Sequence, residues 1–154
     1  MSRTLRIQFP GAIYHITGRG NNKQDIYDCE EDVDLFLGIL AESVSRYNII
    51  VHAYCLMPNH YHLLIETPNG NISEPMRYSN QTYTQTINKR RRRVGHIFQG
   101  RFKSVLVEKG THLLEVIRYI VSNPVRAGLV KEAACYTWSS YRQTPLGPPP
   151  QNQY

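Results

Sequence analysis

A chain of 154 residues, 41% of them hydrophobic, has the size of one domain and enough apolar side chains to build a core. Its three cysteines, Cys29, Cys55 and Cys135, are odd in number and lack CxxC spacing, so they signal neither a disulfide framework nor a cysteine zinc site. Eighteen Lys and Arg against twelve Asp and Glu leave a net charge of +6, a balance that suits a polyanionic partner. The opening "MSRTLRIQFPG" has no apolar h-region, and no apolar run is long enough to span a bilayer. A reduced, cytoplasmic protein with no membrane partner is the expectation.

In chain order, "AIYHITGRGNN" begins as a strand and ends in a turn-rich loop at Gly18, Gly20, Asn21 and Asn22, with Arg19 inside it. In "EDVDLFLGILAESVSRYN", Val33, Phe36, Leu37, Leu40, Val44 and Tyr47 recur every three or four residues, which predicts an amphipathic helix closed by Asn48. "IIVHAYCLM" and "HYHLLIET" read as two strands joined tightly through Pro58 and Asn59. Residues 73–92, with Glu74 and Pro75 in the first turn, read as a second helix. "FKSVLVE" is a fourth strand. "THLLEVIRYIVSN" is a late helix with Thr111 as its N-cap, stopped by Pro124. A short helical turn then runs through Arg126 to Gly128. The order β-α-β-β-α-β plus a further helix predicts an α+β, ferredoxin-like (RRM-like) antiparallel sheet with helices packed on it. One domain over residues 1–143 and a mobile, proline-rich tail over 144–154 complete the expected organisation.

The positive charge is concentrated. "KRRRRVGHIFQGRFK" (89–103) carries seven of the eighteen basic residues and no acid. A charge run is ordinarily a solvated helix face. Here, however, the cations continue into Phe98, Arg101, Phe102 and Lys103, and basic residues interleaved with aromatics suit a phosphate backbone with exposed bases.

"MPNHYHLLIE" (57–66) carries the sharpest local signal. Side chains alternate along a strand, so His60, His62, Leu64 and Glu66 share one face, with Tyr61, Leu63, Ile65 and Thr67 on the other. Two imidazoles ~7 Å apart at Cα can converge on one ion. Two histidines alone are an incomplete site, and a pair of half-exposed strand histidines with no ligand is the plain alternative. On the late helix, Leu113, Val116, Ile117 and Ile120 form the apolar stripe, while Tyr119 and His112 lie on its flank. Asn123 follows Tyr119 by one turn. With eleven tyrosines in the chain, an amphipathic boundary residue at Tyr119 and a helix-end cap at Asn123 are the plain readings of those two.

Taken together, "MPNHYHLLIE", "GHIFQGRFKS", "VIRYIVSNPVRAGLV" and "WSSYR" resemble, in this order, the single-tyrosine transposases of the HUH nuclease superfamily. The likeness is closest to the branch that includes the REP-associated tyrosine transposases, and it runs from about Tyr14 to Tyr141. It implies that His60 and His62 bind a divalent metal, Mg²⁺ or Mn²⁺, with Asn123 completing the site, and that Tyr119 is the nucleophile. Tyr83 in the earlier helix is a rival hydroxyl, and His112 or a metal-bound water is a candidate base. Arg19, Arg90, Arg91, Arg92, Arg93, Arg101 and Lys103 would hold DNA.

The implied activity is single-stranded DNA cleavage and strand transfer through a 5′-phosphotyrosine, at hairpin-containing sequences. The protein would be a monomer or homodimer, associated with the nucleoid when bound to DNA. The alternatives are a non-catalytic nucleic-acid-binding module on an RRM-like sheet, although "GRFKSVLVE" only partly resembles an RNP1 stretch, and a DNA-binding regulator that has kept the site but lost mobility.

Overall fold

The computed structural model describes residues 5–147. Strands β1 (Ala12–Arg19), β2 (Ile50–Met57), β3 (His60–Thr67) and β4 (Lys103–Val107) form one antiparallel sheet in the order β2-β3-β1-β4. Helices α1 (Glu30–Tyr47) and α2 (Ser73–Arg91) follow β1 and β3, which gives the expected ferredoxin-like order. Helix α3 (Thr111–Val121) and the single turn α4 (Asn123–Arg126) come after β4.

Each sheet face buries a separate apolar cluster, as strand alternation requires. Ala12, Tyr14 and Ile16 of β1 and Tyr61, Leu63 and Ile65 of β3 pack against α1 (Val33, Phe36, Ile39, Leu40) and α2 (Met76, Tyr83, Ile87). On the reverse face, Ile13, Ala53, Cys55, Met57 and Leu64 receive Ile117, Ile120 and Val121 of α3. The reverse face of the sheet is therefore covered in part by a helix.

Local chemistry sets the element ends. Met57 pairs with His60, so Pro58 and Asn59 are the whole connection between β2 and β3. Asn48 and Arg92 adopt left-handed conformations (φ 53° and 51°) that terminate α1 and α2. The expected N-cap at Thr111 is corrected: Thr111 is already helical. Gly110, at φ 98°, makes the preceding turn without a side-chain cap. Asn123 likewise does not cap α3 but begins α4, because Ser122 breaks the helix ahead of Pro124.

The C-terminal segment protects the outer edge of β2. Leu56 N–H donates to Trp138 O at 2.8 Å, Ser140 N–H donates to Tyr54 O at 3.0 Å, and Tyr54 N–H donates to Ser140 Oγ at 2.8 Å. Past the expected boundary at 143, Leu146 packs on the second cluster and Thr144 is buried. The rest of the expected tail, from 148 on, lies outside the described residues.

Arg91 joins the end of α2 to the start of α1. Its guanidinium donates to Asp28 at 2.6 Å and also to Asp32, whose side chain is almost wholly buried. Burial would raise the Asp32 carboxyl, but the Asp28 N–H and the Arg91 guanidinium outweigh it and hold the group below its ordinary value. A depressed folded-state pKa stabilises fully above the ordinary carboxylate range, and the contribution fades as pH falls through it. Arg91→Ala is expected to cost roughly 1–3 kcal/mol at pH 7 and to flatten the loss of stability between pH 5 and 3. Urea denaturation of both proteins at those pH values checks this.

Candidate active site

His60 and His62 project from β3 on the face that α3 covers, as alternation requires, with ring centroids 5.2 Å apart. Tyr119, on the exposed flank of α3, comes within 6.1 Å of the His62 ring, centroid to centroid. A cleft of about 430 Å³ gathers His60, His62, Tyr119 and Asn123 with three cations, Arg19, Arg101 and Lys103. Five elements and the segment before β4 thus bring together seven of the eleven residues expected to act as nucleophile, metal ligands or DNA contacts.

The two histidines differ in how they are held. Asn59 Oδ1 lies 2.7 Å from His60 Nδ1. A carboxamide oxygen only accepts, so Nδ1 carries the proton and Nε2 keeps its lone pair. His62 Nδ1 lies 2.9 Å from His15 Nε2, and one of these two imidazoles must donate to the other. Burial, with smaller contributions from His15, His60 and Arg126, pushes the His62 pKa down to about 3, so this ring is neutral at pH 7. Burial, helped by Arg19, lowers His60 as well.

Sequence reasoning missed His15 and Arg126. His15 sits on β1 on the same face as Thr17 and Arg19, and its ring approaches Tyr119 to 5.9 Å. Alternation along "IYHITGR" would have placed His15 with Arg19, but nothing local shows that β1 lies beside β3 with Thr17 opposite His62. Arg126 folds back from α4. Its guanidinium carbon lies 4.1 Å from the Tyr119 ring centre, and Nη2 donates to Tyr119 O at 2.7 Å. The spacing of seven residues, two helical turns, was the available signal.

Other candidates fall away from the cleft. Tyr83 is fully buried on the opposite face and donates to Ile26 O at 2.6 Å, so it is not available as a nucleophile. His112 is exposed, faces Glu115 at 3.8 Å and does not line the cleft. Arg90, Arg91, Arg92 and Arg93 do not line it either, and Arg91 is engaged by Asp28 and Asp32. Among the described residues, no three His, Cys, Asp or Glu side chains form a metal-holding group.

A half-exposed tyrosine beside two histidines and three cations, on a ferredoxin-like sheet, is the geometry to set beside known proteins, and the comparisons point to the transposases. The profile of the family described as "Transposase IS200 like" matches residues 8–123, and the chain belongs to that family. A relative from Haemophilus influenzae named as a REP-associated tyrosine transposase is 25% identical, covering 93% of this chain and 87% of its own. A REP-associated tyrosine transposase solved bound to a REP hairpin superposes with a TM-score of 0.80 at 18% identity, over 93% of this chain and 84% of its own. A transposase structure from Deinococcus radiodurans R1 gives 0.53 at 17% identity, over 77% and 95%. These likenesses establish the four-stranded α+β fold. Among the described residues no helix is long and apolar enough to cross a membrane.

The two tyrosines predict stability costs of different size. Tyr119→Phe removes a half-exposed hydroxyl and should cost less than ~1 kcal/mol. Tyr83→Phe leaves the Ile26 carbonyl without its partner and should cost roughly 1–3 kcal/mol. Urea unfolding of the two variants against the parent measures the difference.

Proposed function

We propose that this chain is a metal-dependent, single-stranded DNA endonuclease and strand-transferase that acts at hairpin-containing sequences through a 5′-phosphotyrosine. The observation that carries this reading is the convergence of Tyr119 and Asn123 with His60 and His62 on one cationic cleft. The REP hairpin bound by the structural neighbour supports the choice of DNA form.

The residues present fit a divalent ion, Mg²⁺ or Mn²⁺. His60 is held with Nε2 free, and His62 is free at Nε2 if its Nδ1 donates to His15. With the Asn123 amide oxygen they make a mixed nitrogen and oxygen set that Mn²⁺ accepts readily. When bound, such an ion supplies Lewis-acid neutralisation of the phosphoryl oxygens. Everything else falls to the protein.

Arg19, Arg101 and Lys103 position the scissile phosphate. Tyr119 Oη attacks phosphorus, the Oη–P bond forms and the P–O3′ bond breaks. The 3′ oxygen leaves with the electron pair and takes up a proton, while the phenol proton passes to solvent. Arg126, stacked over the Tyr119 ring and donating to Tyr119 O, holds that ring in place. Because the phosphodiester energy is kept in the Oη–P bond, an incoming 3′-OH reverses the step and joins a new strand without ATP. Hairpin preference is consistent with an open cleft that admits a flexible strand.

A non-catalytic module on an RRM-like sheet needs an open face of stacking aromatics. Here that face carries imidazoles and lies under α3, which favours the enzyme. The regulator reading shares the geometry and differs only in activity.

With Mn²⁺ and a 3′-labelled, hairpin-bearing single strand, the parent should give a labelled band that resists boiling in SDS, and Tyr119→Phe should give none. A band persisting in Tyr119→Phe would move the nucleophile elsewhere. A parent that binds the strand yet never forms an adduct would favour the regulator. In calorimetric titration, His60→Ala and His62→Ala should abolish Mn²⁺ binding. His15→Ala should weaken it by about 10–100-fold, with partial recovery in His15→Gln, whose amide oxygen can accept from His62.

A further inference from the structure

A groove of about 730 Å³ lies on the other side of the sheet from Tyr119. One wall is the outer face of α2, where Arg77, Asn80, Gln81, Thr84 and Gln85 follow helical spacing. The opposite wall is the segment leading into β4, with Phe98 and Phe102 half-buried in it. Among the described residues, no carboxylate lines the groove. An ordinary solvated helix face mixes both signs of charge, and this one presents Arg77, a threonine and three carboxamides instead, facing the aromatic rings of the opposite wall.

We propose that this groove binds unpaired nucleotides of the same DNA strand whose phosphate enters the Tyr119 cleft. The proposal rests on the reading of the chain as a single-stranded DNA enzyme and names where that strand continues.

Three observations support the occupant. The first is continuity, because Arg101 lines both the groove and the cleft. The segment around it passes the end of the sheet, where Gln99 N–H donates to Arg19 O at 2.8 Å and Phe98 bridges Gly20. Phe98 therefore packs on the α2 side while Gln99 faces the cleft. A strand leaving the cleft at Arg101 meets the groove directly.

The second is charge. Arg6 stacks on Phe102, with its guanidinium carbon 3.6 Å from the ring centre, and Arg77 and Arg101 lie in the same groove. Burial, and then the nearby Arg101, push the Arg6 pKa down. Like charges crowded together without a carboxylate are relieved by a phosphate.

The third is the carboxamide set. Asn80 Oδ1 accepts from the buried Tyr61 hydroxyl at 3.0 Å, which fixes that amide and leaves its N–H₂ to donate. Gln81 and Gln85, one turn apart and exposed, each offer a donor and an acceptor. Such groups read base edges, and the Phe rings suit stacking against unpaired bases. A paired stem hides its Watson–Crick edges and has no use for either feature.

The test measures fluorescence anisotropy with labelled dA, dC and dT 12-mers and a 12-base-pair duplex, in the Tyr119→Phe background so that the probes stay intact. Arg77→Gln should weaken binding to all three strands alike and reduce the salt slope of log K by about 0.7. Gln81→Ala with Gln85→Ala should narrow the affinity spread among the three strands about fivefold or more, with the salt slope unchanged. Arg90→Gln, a cation removed away from the groove, should leave that spread as it is. A double amide variant with the parental spread, together with a parental salt slope in Arg77→Gln, would overturn the groove. So would a duplex that competes as well as the single strands. The adduct assay on the parent chain separates the two readings. Adducts with a silent groove leave the proposed function standing, and groove effects without adducts leave a binding protein.

Discussion

The antiparallel pairing of β1 with β3 is the constraint on which the site depends. It sets Arg19 opposite His60 and Thr17 opposite His62, and it brings His15 within hydrogen-bond reach of His62. A slip of one residue would turn every one of these side chains to the other face. The register is locked on the reverse side by Gly18, which faces Tyr61 across the ladder. A Cβ at Gly18 would stand 2.3–2.6 Å from the Tyr61 ring, so only glycine lets that ring lie flat against β1. The buried face thus positions the face that carries the histidines.

The fold was largely legible because periodicity is a local property. The 3.6-residue pattern of Val33, Phe36 and Leu40 and the two-residue pattern of His60, His62 and Leu64 each declare an element and its buried face. The helix start at Thr111 was not legible, since Gly110 achieves with backbone freedom what a side-chain cap achieves elsewhere. The site was legible where the chain itself brings residues together, as in His60 with His62 and Tyr119 with Asn123. His15 and Arg126 were hidden because their roles depend on strand order and on the fold-back of α4, both of which are decided by tertiary packing.

Within the arginine run, neighbouring cations of one tract have different surroundings. Four consecutive arginines read as one basic tract, yet they end a helix and diverge. Arg91 turns inward to the nearly buried Asp32 and to Asp28, Arg93 reaches Asp28 at 3.6 Å, and Arg92 adopts the left-handed conformation that stops α2. Part of the excess charge is therefore spent on joining α1 to α2. The cations of the cleft are instead the scattered ones, Arg19, Arg101 and Lys103, which come together only because β4 pairs beside β1.

Tyr61, between the two histidines, connects these features. The position calls for a bulky apolar residue because it points into the core, and a phenylalanine would fill that volume. The hydroxyl does something more: it reaches α2 and donates to Asn80 in the groove wall. Burial drives the Tyr61 pKa well above the ordinary phenol value, so the group stays a neutral donor across the working pH range. The same three residues therefore present two imidazoles to the cleft on one face and orient a carboxamide on the other.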